Sequence, residues 1–193
     1  MAGSRTIKTI SALIIAMFVG AAILMMVAPA PIKPTPTPVA AMADQKDAPG
    51  RVIYDTQTRL QPLKWRNLVI HSSVAEPGVM KQCHFVVYPA DQNGRSAVVS
   101  TDLWKKQVEG NHVNLSGYDF NAISVGICVV GDFTATAPGR AQFVNMVSLI
   151  RALQFEFGIS PDHIYLHSDL VRNSRSPGAA FPDVTPYLLQ PER

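Results

Sequence analysis

The apolar and polar positions divide the chain into three stretches of different rhythm. From Ile10 to Val27 there is no period at all, only Ile, Leu, Met, Val, Phe and Ala with single Ser and Gly. From Pro29 to Pro38 proline recurs almost every second residue. After about Gly50 the chain breaks into short apolar runs separated by polar turns. Trp65–His71, Cys83–Tyr88, Ala97–Ser100, Ile123–Val130 and Ile164–His167 each read as a strand. The Val- and Ile-rich run Ile123–Val130, closed by Gly131-Asp132, suits a central strand buried on both faces.

One segment has a helical period. Phe143, Val147, Ile150, Leu153 or Gln154, and Phe157 recur at three- and four-residue steps, which predicts a helix over Arg140–Phe157. Thr136 with Pro138 marks its start and Gly158 its end. Trp104–Glu109 fits either a helical turn or an extended piece. The eleven residues between His71 and Cys83 leave room for little more than a turn and an irregular loop. These elements predict an α/β domain, a mixed central β-sheet flanked by helices.

The front of the chain is organised differently. Eighteen uncharged residues, Ile10–Val27, at a helical rise of about 1.5 Å nearly cross a bilayer core of about 30 Å. Arg5 and Lys8 precede them, which keeps the short tail cytoplasmic and exports the rest. Ala28-Pro29-Ala30 resembles a signal-peptide cleavage box, but Pro31 disfavours processing there, and Ala41-Met42-Ala43 lies well beyond the apolar run. The expected organisation is a tail over 1–9, an uncleaved transmembrane anchor over 10–28, a stiff Pro-rich linker over 29–50, and a folded domain over 51–193. The localisation that follows is the cytoplasmic membrane, single-pass, with the domain on the periplasmic side.

Charge narrows the possible partners. The net charge is +3, but Arg5, Lys8, Lys33 and Lys46 against Asp44 and Asp47 precede residue 51. Residues 51–193 therefore carry 13 basic and 12 acidic side chains, no footprint for nucleic acid. Two cysteines, Cys83 and Cys128, are too few for a disulfide framework. Both sit in apolar strand patterns, which suits buried free thiols, although one bridge is open in an oxidising compartment. His84 is expected to face away from any cleft, Cys128 to be a core thiol, and Trp65 and Trp104 to pack in the core.

Two runs end in a histidine followed by small polar residues, Leu68-Val69-Ile70-His71-Ser72-Ser73 and Leu166-His167-Ser168-Asp169. Histidines projecting from rigid strand ends are candidate metal ligands. Between and after them come Cys83-His84-Phe85-Val86-Val87, Asn93-Gly94, His112, Asn121 through Cys128, Gly131-Asp132-Phe133, Gln142, and Ser176-Pro177-Gly178-Ala179-Ala180-Phe181. In this order and spacing, over roughly residues 64–182, the set resembles the zinc-dependent N-acetylmuramoyl-L-alanine amidases and the peptidoglycan-recognition proteins.

That resemblance implies zinc as cofactor and peptidoglycan or muropeptides as partner, in a monomeric domain held at the membrane by its amino-terminal helix. It makes His71 and His167 two of three zinc ligands, with Ser176 where the family has a cysteine. It places His112, Asn121 and Cys83 at the substrate groove, Cys83 standing for a tyrosine. Cys128 stands where another branch of the family has a glutamate, and Ser174 where the family has Lys or Thr. A helix that the family sets between the first two strands has no room here.

A neutral serine hydroxyl is a poor zinc donor compared with a thiolate. Recognition proteins without hydrolase activity also have serine at this place. The implied function is therefore peptidoglycan recognition with a degenerate zinc site and weak or no hydrolysis. The alternative is an active zinc amidase with a rearranged third ligand, Cys83 before Asp169. A serine hydrolase built on Ser176 and His167 is disfavoured, because Ser-Pro-Gly is not a strained nucleophile turn and no acid is placed to orient the histidine.

Overall fold

The computed structural model describes residues 49–190, apart from 75–77, 116 and 118. The expected anchor over 10–28 and nearly all of the linker lie outside the described residues. Among those that are described, no helix is long and apolar enough to cross a membrane.

Five strands form one mixed sheet: β1 (Asn67–Ser73), β2 (Phe85–Val87), β3 (Val98–Ser100), β4 (Ser124–Val130) and β5 (Ile164–Leu166). Their spatial order is β3-β2-β4-β1-β5. The pairs β2/β4, β4/β1 and β1/β5 are parallel, and β3 runs antiparallel to β2 at one edge. The predicted central run is thus central, as β4 lies between β2 and β1. Every expected strand is present, shortened or shifted by one or two residues at its ends.

Strand alternation splits the sheet into two faces. Leu68, Ile70, Phe85, Val87, Val125, Ile127 and Val129 join one buried cluster with the long helix α2 (Arg140–Phe157), which follows the short helix α1 (Asp102–Lys105). Val86 and Cys128 point the other way, packed with Val79 and Cys83. On α2 the buried stripe is broader than the period predicts, taking in Gln142, Met146, Ser148, Leu149 and Gln154 as well as Val147, Ile150 and Leu153. Its two glutamines tie backbone. Gln142 Nε2 donates to Val87 O at 3.0 Å and Val130 O at 2.8 Å, while Gln154 spans Ile159 and Leu189.

The helix ends as expected, with Gly158 in the left-handed region at φ 65° and its N–H on Gln154 O. Its start differs. Gly139, not Thr136, precedes the first turn, and no side chain caps it. Of the two readings for Trp104–Glu109, the helical turn is present as α1, which holds Trp104. Both tryptophans are core residues, Trp65 Nε1 donating to Gln107 Oε1 and Trp104 Nε1 to Ile53 O. The 3-10 segment Pro49–Tyr54 thereby belongs to the core. Ile53 is buried, and Gly50 lies so close to α2 that a Cβ there would stand 2.9 Å from Ala152 Cβ. Between His71 and Cys83 there is only a short 3-10 turn, Gly78–Lys81, in line with the space available.

Candidate functional site

The site forms on the sheet face away from α2, where parallel register brings separated residues side by side. His71 on β1 is the register partner of Cys128 on β4, and parallel partners share a face. Cys83 enters from the turn before β2, where its N–H bonds to Val79 O and its carbonyl accepts from Thr101 Oγ1 at 2.7 Å. His71 Nε2 lies 2.5 Å from Cys83 Sγ. The ligand atoms of His71, Cys83 and Cys128 all lie within 4.8 Å of one another, and all three residues are buried.

Above this group is a cleft of about 300 Å³ lined by His71, His112, His167 and Ser176, with Ser72, Gln82 and the loop 111–114. His167 is not the strand end that its sequence suggested. β5 stops at Leu166, and His167 opens the short helix α3 (His167–Leu170). Its ring centre is 6.2 Å from that of His71, and its Nδ1 is 2.7 Å from Ser174 Oγ. Ser176 is held against β1, its Oγ accepting from Ser72 N at 2.9 Å and its carbonyl accepting from Ser168 N. The turn that carries Ser176 needs glycine next to its proline. Gly178 has φ 136°, and a Cβ there would stand 2.3 Å from the backbone of Phe133.

His112 reaches the same cleft because β4 has a glycine in it. A Cβ on Gly126 would lie 2.6 Å from the His112 ring, so the bare strand lets the imidazole lie against the sheet. Ser124 Oγ donates to Phe120 O at 2.6 Å, so His112 donates to Ser124 Oγ from Nε2, at 2.8 Å. That leaves His112 Nδ1 without a hydrogen-bond partner among the described residues. His84 sits behind it, their ring centres 5.6 Å apart. Its Nδ1 accepts from Gly126 N and its Nε2 donates to Val108 O, which satisfies a wholly buried neutral ring.

Burial keeps these imidazoles neutral. It pushes His71 down to about 4, with the neighbouring His167 adding to the effect and a backbone hydrogen bond with Ser72 opposing it. It pushes His112 down to about 3, aided by His84 and His71, and lowers His167 as well. The Cys83 thiol is pushed well up by burial first and then by Cys128. No carboxylate lines the cleft among the described residues. Asp169, a possible substitute ligand by sequence, is exposed and accepts from Leu166 N at 2.8 Å, capping α3 instead.

The structure therefore brings His71, His112, His167 and Ser176 together and sets two predicted residues elsewhere. Asn121 does not enter the cleft. Its side-chain amide bonds both backbone groups of Val113, pinning the loop that carries His112. Cys83 is not exposed to a substrate, because it lies fully buried beneath His71. Cys128 was legible as a buried thiol but not as a neighbour of His71. Its even spacing from Gly126 on β4 was the available signal.

The family model for N-acetylmuramoyl-L-alanine amidase matches residues 46–179. The chain belongs to this family, whose members are typically zinc-dependent. No curated protein sequence matches it significantly. Among solved structures it is similar to AmpDH3 from Pseudomonas aeruginosa, with TM-score 0.50 and 19% identity over 65% of this chain and 60% of that one. It is also similar to the endolysin amidase LysCS from Clostridium intestinale, with TM-score 0.49 and 19% identity over 65% and 83% of the two chains. A third similar structure is a mutant of Drosophila PGRP-LB in complex with tracheal cytotoxin, with TM-score 0.46 and 19% identity over 64% and 80%.

Zinc does not fit the family-type positions in this chain. His71 and His167 supply two imidazoles, but the third position holds Ser176, a neutral hydroxyl and a poor zinc donor. A catalytic zinc takes three protein ligands and keeps one position open. Two imidazoles and a hydrogen-bonded hydroxyl are a weak set.

Proposed function

We propose that the domain recognises peptidoglycan or its muropeptide fragments and hydrolyses the amide weakly or not at all. The observation that carries this reading is that the cleft offers only the neutral hydroxyl of Ser176 beside His71 and His167, with no cysteine or carboxylate in its lining among the described residues. Membership of the amidase family supports peptidoglycan as the ligand. The cleft retains neutral imidazoles and backbone groups that can donate to and accept from a glycopeptide. It lacks the ligand set for activating water, and no carboxylate lines it among the described residues.

The test is co-sedimentation of the protein with insoluble sacculi, alongside chromatography of muropeptides incubated with it. Binding without released peptide is expected. Ser176→Cys should raise amide release by at least about tenfold, the lower end of the effect of a change around a metal ligand. Substantial peptide release by the unmodified protein would overturn the reading. So would failure to bind sacculi.

The second reading, an active amidase with Cys83 as the rearranged ligand, is favoured by the 2.5 Å approach of Cys83 Sγ to His71 Nε2. It predicts that Cys83→Ala abolishes peptide release. The burial of Cys83 beneath His71 argues against it, because a metal drawn towards that sulfur is drawn away from the cleft.

The proposal extends to the cell envelope. The uncharged run Ile10–Val27 and the proline-rich stretch after it support a single-pass anchor and spacer holding a monomeric domain outside the cytoplasmic membrane. Amino-terminal sequencing of the mature protein checks this. A start at Asp44 would replace the anchor with a cleaved leader.

A further inference from the structure

We propose that His71, Cys83 and Cys128 form a metal centre of their own, for a thiophilic ion of the zinc class, on the sheet behind the cleft. The proposal concerns the metal alone and is independent of whether the cleft binds or cleaves peptidoglycan.

The first ground is geometry. Two ligands that share an ion at the zinc–sulfur distance of about 2.3 Å are at most about 4.6 Å apart. The three ligand atoms here lie within 4.8 Å of one another, so small side-chain shifts suffice: any pair wider than that bound draws in slightly, and His71 Nε2 and Cys83 Sγ, 2.5 Å apart, open to admit the ion. Three adjacent backbone segments hold them. His71 and Cys128 face each other across the β1/β4 ladder, in the middle of the sheet. Cys83 is fixed from both sides, its N–H on Val79 O and its carbonyl on Thr101 Oγ1. His71 Nε2 meets Cys83 Sγ directly.

The second ground is donor chemistry. Two sulfurs and an imidazole select zinc or a similarly soft ion and reject magnesium and calcium, which take oxygen donors. Binding displaces the two thiol protons to solvent, so the centre carries two thiolates against a divalent ion and is electrically balanced. The arrangement also accounts for Ser176. The family-type positions at the cleft edge have one donor too few, while the sheet beneath has two sulfurs beside the shared histidine. His71 is the pivot, and its Nε2 faces the sulfurs.

The experiment uses the full-length chain, purified without chelator and assayed for metal content and for cobalt binding. One zinc per chain is expected. On cobalt substitution, the thiolate-to-cobalt charge-transfer absorption should match two sulfurs. Cys83→Ser and Cys128→Ser should each remove about half of that band. Each should also weaken metal binding by more than the 10–100-fold typical of an outer-partner change. His167→Ala and Ser176→Ala should leave metal content and spectrum unchanged.

Alkylation of the unmodified protein covers the case in which the cysteine variants do not fold. Both thiols are buried, so the reaction is run in sub-denaturing urea, where bound zinc should protect both from maleimide and a chelator should expose them. Three results would overturn the proposal: thiols that react equally with and without zinc, isolation of Cys83 and Cys128 as a disulfide, or a metal that is lost in His167→Ala and gives a cobalt spectrum with no sulfur band.

Discussion

The two faces of the one sheet are built from alternate residues of the same strands, yet they do different work. On the α2 side, Leu68, Ile70, Val125, Ile127 and Val129 meet Met146, Leu149, Ile150 and Leu153 in a continuous apolar layer. On the other side, His71, Gly126 and Cys128 meet His112, Cys83 and the loops that carry Ser176. The first face is covered by one regular helix and is stabilised by area removed from water, about 25 cal/mol per Å². The second is covered by irregular segments held by individual hydrogen bonds, and its buried groups include imidazoles and thiols beside Val79 and Val86. Stability and chemistry are thus separated by a shift of one residue along each strand.

The largest test of that division is Trp104→Ala, on the apolar side. Trp104 is fully buried against Phe85 and Phe157 and bonds Ile53 O. Its loss should cost about 3–5 kcal/mol in urea unfolding, with cleft binding retained in the protein that remains folded. A cost under about 1 kcal/mol would mean that the apolar layer does not hold the domain together.

The next expected effect is acid sensitivity, and it belongs to the histidine side. Burial lowers His84 from 6.5 to about 4, and the same cause lowers His71 and His112. Between these values the unfolded chain binds the proton and the folded one does not. This contribution is therefore complete above about pH 6.5 and drains away as the pH falls towards 4. At about 1.4 kcal/mol per unit for one proton, His84 alone accounts for a loss on the order of 3 kcal/mol. Urea midpoints measured at successive pH values should fall across that window, and a flat profile would contradict buried neutral rings.

Gly126→Ala joins the two faces. Its new methyl would stand 2.6 Å from the His112 ring in the middle of a central strand. Overpacking of this kind costs about 1–3 kcal/mol. Most of that should vanish in a His112→Ala background, since contacting residues couple. Additive costs in the double variant would show that the ring does not lie against the strand.

Asn121→Ala should have the smallest effect, about 1 kcal/mol for the hydrogen bonds to Val113. Its effect on sacculus binding should come through a loosened His112 loop. Asn121→Asp keeps the acceptor but sets a carboxylate oxygen against Val113 O, so it should cost at least as much as alanine. If Asn121→Ala abolished binding without any change in the mobility of that loop, Asn121 would contact the ligand directly.

Much of this architecture was legible from local pattern. The period-3.6 stripe of α2, its glycine stop, and the five apolar runs are properties of neighbouring residues, and each appears close to where the pattern places it. Boundaries moved where tertiary bonds intervened. His167 left its strand for α3, where Asp169 caps Leu166 N, and Asn121–Ile123 became a 3-10 turn before β4. The histidines and Ser176 could be singled out because each sits in a short recognisable run.

What the sequence alone determined is therefore the class of fold, the order of its strands along the chain, and the residues from which a site could be drawn. Which of them meet was decided by sheet order and register. β1 and β4 are separated by fifty residues of chain, from Ser73 to Ser124, and only their parallel pairing sets Cys128 beside His71. The same packing turned Asn121 inward onto Val113, sank Cys83 beneath the cleft, and set Ser176 Oγ on Ser72 N. Local periodicity encodes which face a side chain takes within its own strand. It carries no information about the strand that will lie next to it, because that choice is made by the packing of the whole sheet against α2.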